Sequence, residues 1–99
     1  MNPTFEFRTE LYLWKPEGSW VFATVPLDVS DEIDEIVPDR RGFGSVRVEV
    51  QVGETTWRTS VFPDSSSGCF VLPVKQGVRR AERIDVGDEV DLELTVLLG

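Results

Sequence analysis

The sequence predicts a mainly β fold: a six-stranded barrel capped by two short α-helices, with a pseudo-twofold relation between its halves. Three observations carry this. Apolar and polar residues alternate with period two in the longest patterned segments, as in half-buried strands. The two stretches with helical spacing are both short, whereas a doubly wound sheet needs more and longer helices. The element order, β-β-α-β-β-β-α-β, also repeats a similar run of events. A shift of 47 residues superposes Pro26 on Pro73 and Val37 on Ile84.

The first strand is TFEFRTELYLW. Phe5, Phe7, Thr9, Leu11 and Leu13 share one face, while Glu6, Arg8, Glu10, Tyr12 and Trp14 share the other. Lys15-Pro16-Glu17-Gly18 reads as a turn into a second strand, Trp20 to Val25, which Pro26 ends. A short helix is expected from Asp31 to Val37, capped by Ser30 or Asp28. Asp31 and Glu32 would occupy its first turn, Ile33, Ile36 and Val37 its apolar face, and Pro38 its stop. After the loop Asp39–Gly44, Val46, Val48, Val50 and Val52 form the clearest strand face in the chain. Gly53-Glu54 turns the chain into a partner strand, Thr55–Phe62, and the polar loop Pro63–Gly68 precedes a short strand, Cys69–Leu72. Pro73 opens a second helix, Val74 to Ile84, with Val74, Val78, Ala81 and Ile84 as its buried stripe and Arg79, Arg80 and Arg83 toward its C-terminal end. Following the turn Asp85–Asp88, the last strand runs from Glu89 to Leu97, with Val90, Leu92, Leu94 and Val96 inward.

The 99 residues correspond to one domain, spanning 1–99. Ten cations against 18 acids leave a net charge of −8, which opposes non-specific binding to nucleic acid or to an anionic membrane. With no histidine, imidazole base chemistry and imidazole metal sites are excluded. A lone cysteine, Cys69, cannot form an intramolecular disulfide, and its expected role is that of a small buried residue. No apolar run is long enough to span a membrane, and MNPTFEFRTE lacks a signal-peptide pattern, so the cytoplasm is the expected compartment.

The run Gly44–Pro63, G-S-V-x-V-x-V-x-V-G-x-x-x-W-R-T-S-V-F-P, followed by L-P-V-K at Leu72–Lys75, resembles domain-of-unknown-function family nineteen-oh-five. The similarity covers roughly Phe5 to Val96. It implies a double-split β-barrel with helical caps, a fold class shared with the AbrB, MazE and MraZ transcription factors. Leu72-Pro73, Val78-Arg79 and Gly87-Asp88-Glu89-Val90 look like the AbrB pattern of proline, helix, glycine-aspartate and strand. The resemblance implies no established activity. Many members carry a further C-terminal helical segment linked to bacteriocin protection, and a role resting on that segment is not expected of these residues.

The cations are eight Arg and two Lys. Arginine's planar fork suits carboxylate or phosphate, so Arg58, Ser60 and Lys75 are expected to line an anion pocket. Arg79 and Arg41 are further candidates, Arg41 in the glycine-containing loop Arg40–Gly44. Against this, the arginines have abundant carboxylates on neighbouring strands to pair with. Trp20 and Trp57 are candidate stacking surfaces, although core packing is the expected role of both. Trp14, on the polar face beside a turn, is the aromatic expected to be exposed. Ser65–Ser67 lack an activating base and read as a loop. The acids Asp31, Glu32, Asp34 and Glu35 have no calcium-loop spacing, so no metal site is expected.

The favoured function is therefore a non-catalytic binding module for a small anionic ligand, without a cofactor and monomeric. An AbrB-like DNA-binding regulator and a protein-interaction module are the alternatives; nucleic acid and membrane are the partners that the charge and the apolar runs argue against.

Overall fold

The computed structural model describes residues 2–14, 18, 20–37 and 44–98. The expected turn at Lys15–Glu17, the helix stop at Pro38 and the loop Arg40–Phe43, which includes Arg41, lie outside the described residues. The elements are β1 (Thr4–Leu13), β2 (Val21–Thr24), α1 (Leu27–Ile36), β3 (Val46–Val52), β4 (Thr55–Asp64), β5 (Cys69–Pro73), α2 (Gln76–Glu82) and β6 (Glu89–Val96). The six strands close into a barrel in the order β1-β2-β5-β4-β3-β6. Exchanging β1 with β4, β2 with β5 and β3 with β6 leaves every neighbour relation unchanged, so the pseudo-twofold is a property of the topology.

The barrel is double-split because its two long strands each serve two partners. Thr4–Glu10 of β1 pair with β6, and only Leu11–Leu13 pair with β2. Likewise, Val46–Val52 of β3 pair with Thr55–Val61 of β4, and β4 reaches β5 only through Phe62–Asp64. Each long strand therefore parts from its short neighbour over most of its length. The short strands, β2 and β5, pair with one another across the axis. Two further bonds extend that pairing symmetrically: Val25 N–H donates to the Phe70 carbonyl and Val74 N–H to the Val21 carbonyl, both at 2.9 Å.

The interior is filled mainly by β-branched and leucine side chains, with Val48, Val50, Val61, Leu72, Leu94 and Val96 fully buried. This is the inward half of the period-two pattern read from the sequence. Parity also explains a departure from it. Val21 and Ala23 point inward, so Trp20 and Phe22 fall on the outer side, and Trp20 is 60% exposed rather than in the core. Trp57 is buried, at 7% exposure, and Trp14 is exposed, as expected for both.

Both helices depart from their expected bounds. In α1, the chain enters through Pro26 (φ −52°, ψ 151°), and the first helical bond runs from Ser30 N–H to the Pro26 carbonyl at 2.8 Å. The helix thus starts at Leu27, and Ser30 and Asp28 lie inside it rather than capping it. The first-turn acid is Asp28, not Asp31 or Glu32. In α2, Val74 is held in the sheet by its bond to Val21, so the helix begins only at Gln76. It ends at Arg83, whose left-handed conformation (φ 56°) turns its N–H back to the Arg79 and Arg80 carbonyls. With this shorter helix, Ala81 is exposed, and Val78 is the buried residue on α2. Cys69 is half-buried.

Candidate functional site

The split between β4 and β5 forms a cleft of about 560 Å³. One wall is the unpaired side of β4, from Trp57 to Thr59; the other is the β5–α2 passage, from Pro73 to Gln76, with Arg79. Leu13, Trp20 and Val21 line it from the β1–β2 side, and Asp85 and Val86 close the rim. Among the described residues its lining joins an apolar surface with three cations, Arg58, Lys75 and Arg79, and one acid, Asp85.

The three cations are held differently. Arg58, on the outer face of β4, donates from Nε to Glu49 Oε1 of β3 at 3.1 Å, the carboxylate pairing that competes with a ligand role. Arg79 is largely buried. Its Nε donates to the Val74 carbonyl at 3.1 Å, and its Nη1 lies 3.5 Å from Asp85 Oδ1. A guanidinium has five N–H donors, so donors remain for a bound anion. Lys75 is exposed, sits between Val74 and the first residue of α2, and has no ion pair among the described residues.

The two splits are tied differently by their side chains. Ser30 Oγ donates to the Val25 carbonyl at 3.0 Å, the same five-residue reach back by which Arg79 addresses Val74. Ser30 Oγ also accepts the Phe70 N–H at 3.0 Å, tying α1 to β5. A guanidinium has no acceptor, so Arg79 cannot make the second link. Similarly, Thr9 Oγ1 donates to the Thr24 carbonyl across the first split at 2.9 Å, while its counterpart, Thr59, makes no side-chain hydrogen bond among the described residues and lines the cleft.

Of the residues singled out in the sequence, the cleft brings together Trp20, Trp57, Arg58, Lys75 and Arg79. Ser60 does not line it. Ser60 lies opposite Arg47 of β3, next to the point where the β4–β5 ladder resumes at Phe62. Thr59, Gln76 and Asp85 also line the cleft and were not expected there. Thr59 was within reach, since it alternates in phase with Trp57, and Gln76 stands one helical turn before Arg79.

With this geometry in place, the comparison with known families is decisive. A family model described as Domain of unknown function (DUF1905) matches residues 7–94. The chain belongs to the DUF1905 family. The matched span of this DUF1905 domain includes the Gly44–Pro63 run and Leu72–Lys75, the segments that supply both cleft walls. No curated protein matches the chain. No helix among its described residues is long and apolar enough to cross a membrane.

Proposed function

We propose that this DUF1905 domain is a non-catalytic binding module whose β4–β5 cleft takes a small organic anion. One observation carries the reading: Lys75, without an ion pair among the described residues, and Arg79, fixed by backbone, share a cleft with Trp57 on a chain of net charge −8. Cations collected against an apolar wall, in a molecule with surplus carboxylates, suit a ligand with one charged end and one apolar end. The chain has no histidine, and among the described residues Thr59, the hydroxyl in the cleft lining, has no hydrogen bond to a base.

The test is a thermal-shift and tryptophan-fluorescence titration with inorganic phosphate, citrate, benzoate and phenyl phosphate. Phenyl phosphate or benzoate should stabilise the protein, and Lys75→Ala and Arg79→Met should each weaken that effect. A protein indifferent to all four anions, or variants that respond as the wild type does, would overturn the reading.

A protein-interaction role is the second reading. It is favoured by the outer aromatic group in which Tyr12, Trp14 and Trp20 surround Phe22, with ring centroids 6.0–6.3 Å away. It predicts self-association or partner capture that Trp14→Ser abolishes. A DNA-reading role has the net charge against it, and retardation of duplex DNA at low salt would revive it.

A further inference from the structure

The cleft does not end at Arg79. A groove of about 390 Å³, lined by Gln76, Arg79, Arg80, Arg83, Ile84 and Asp85, adjoins it and shares Gln76, Arg79 and Asp85 with it. The helical spacing produces this continuity. Gln76, Arg79, Arg80 and Arg83 recur at intervals of three and four, so α2 and its end present them along one face. Arg80 and Arg83 are exposed and have no ion pair among the described residues. Among the described residues, cleft and groove together collect Arg58, Lys75, Arg79, Arg80 and Arg83 against one lining acid, Asp85. Half of the chain's ten cations thus line two adjoining depressions that share Gln76, Arg79 and Asp85.

The rest of the cleft lining differs in chemistry. Trp57 is buried and Trp20 exposed, and Leu13 and Val21 line the cleft with them. A single inorganic anion would use only the cationic part, and an uncharged aromatic only the other. From this juxtaposition we infer that the ligand is a nucleoside polyphosphate, its base against Trp20 and Trp57, its first phosphate at Lys75 and Arg79, and its outer phosphates at Arg80 and Arg83. Every base has a π-face, so tryptophan contact sets no base preference. Arginine's fork suits phosphate oxygens, and an unpaired pair of guanidinium groups one helical turn apart suits more than one phosphate. The inference rests on the cleft reading and adds the ligand class.

The experiment is calorimetric titration of the full chain with adenosine, AMP, ADP, ATP and inorganic triphosphate, at low salt and without divalent metal. Affinity should rise about two- to fivefold with each added phosphate, the range of an exposed ion pair. In Arg80→Gln/Arg83→Gln that gradient should flatten, with AMP binding unchanged, while Lys75→Ala should weaken all three nucleotides. Equal affinities for AMP and ATP, or an ATP preference that survives in the double variant, would overturn the polyphosphate assignment. Inorganic triphosphate binding as tightly as ATP would overturn the nucleoside part. If phenyl phosphate binds in a Lys75-dependent way and no nucleotide does, this inference falls while the cleft reading stands. Adenosine binding as tightly as ATP would overturn both.

Discussion

Ser30 and Arg79 occupy corresponding places in the two halves of the barrel, related by a shift of 49 residues rather than the expected 47, each donating to the carbonyl five residues earlier, Val25 at 3.0 Å and Val74 at 3.1 Å. The serine is buried and also accepts the Phe70 N–H, so it works as a stitch between α1 and β5. The arginine only donates, and a cleft lies beside it. Ser30→Ala removes both bonds in a buried setting and should destabilise the fold by about 1–3 kcal/mol in chemical denaturation. Arg79→Met keeps the aliphatic stem and should cost less, while weakening the response to anions. A larger stability loss for Arg79→Met than for Ser30→Ala would contradict this division between structure and binding.

The two tryptophans of the cleft should separate in the same way. Trp57 is in the core, so Trp57→Ala leaves a large cavity and is expected to cost about 3–5 kcal/mol. Trp20 is 60% exposed and its nearest ring partner is Phe22, at 6.2 Å, so Trp20→Ala should cost about 1 kcal/mol or less. The measurements are equilibrium unfolding and ligand-induced fluorescence change on each variant. The prediction fails if Trp20→Ala retains wild-type binding of an aromatic anion, because its exposed ring would then have no part in the site.

Much of the barrel was legible because its signal is local. Val46, Val48, Val50 and Val52 alternate without interruption, and a half-buried strand is the simplest structure that buries all four. Trp20 was misplaced because its parity depends on where β2 starts, and that start is set by pairing with Leu11–Leu13, not by composition. The start of α1 was missed for a related reason. Ser30 is a good capping residue in isolation, but the buried contact with Phe70, 40 residues away in sequence, claims its hydroxyl for the helix interior. The cleft was partly legible, since Arg58, Lys75 and Trp57 carry recognisable chemistry. That Ser60 falls outside it follows from the register of β4 with β5, a long-range relation that no local pattern encodes.

Gly53 tests the docking of α2 onto the barrel. It turns β3 into β4 with φ +58°, and a Cβ placed there would run into the Glu82 carboxylate. Glu82 Oε2 accepts a hydrogen bond from Thr55 Oγ1 at 2.5 Å, so the helix end is anchored on that turn. Gly53→Ala incurs both a left-handed alanine and a displaced carboxylate, and should cost about 2–4 kcal/mol. In a Glu82→Ala background only the backbone part remains, about 1–2 kcal/mol. A double-mutant cycle by urea denaturation should therefore show the two costs to be less than additive. Strict additivity would mean that the glycine is required by the turn alone.

Acid should loosen the opposite turn. Asp64 ends β4, and its carbonyl accepts the Gly68 N–H at 2.9 Å, closing the turn into β5. Its carboxylate accepts hydrogen bonds from Ser67 Oγ at 2.9 Å, from Ser66 Oγ at 2.9 Å and from Ser66 N–H at 3.3 Å. The Ser67 hydroxyl first, then the Ser66 hydroxyl and amide, hold the carboxyl below the ordinary aspartate range. Since the folded state keeps the charged form more readily, the unfolded chain takes up the proton first as pH falls. The stabilisation is fully present above the ordinary aspartate range and is lost as pH drops through the depressed folded value. All these groups are at the surface, so the effect on global stability is small, and a local measurement is the sensitive one. An NMR titration of the Asp64 carboxyl should show its midpoint rising in Ser67→Ala and rising further in Ser66→Ala/Ser67→Ala. The Gly68 amide should lose protection relative to its intrinsic exchange rate at the same pH once Asp64 is protonated, because the serine hydroxyls then lose a charged acceptor and the turn its side-chain ties. A midpoint unmoved by either substitution would mean that the hydroxyls do not hold the charge.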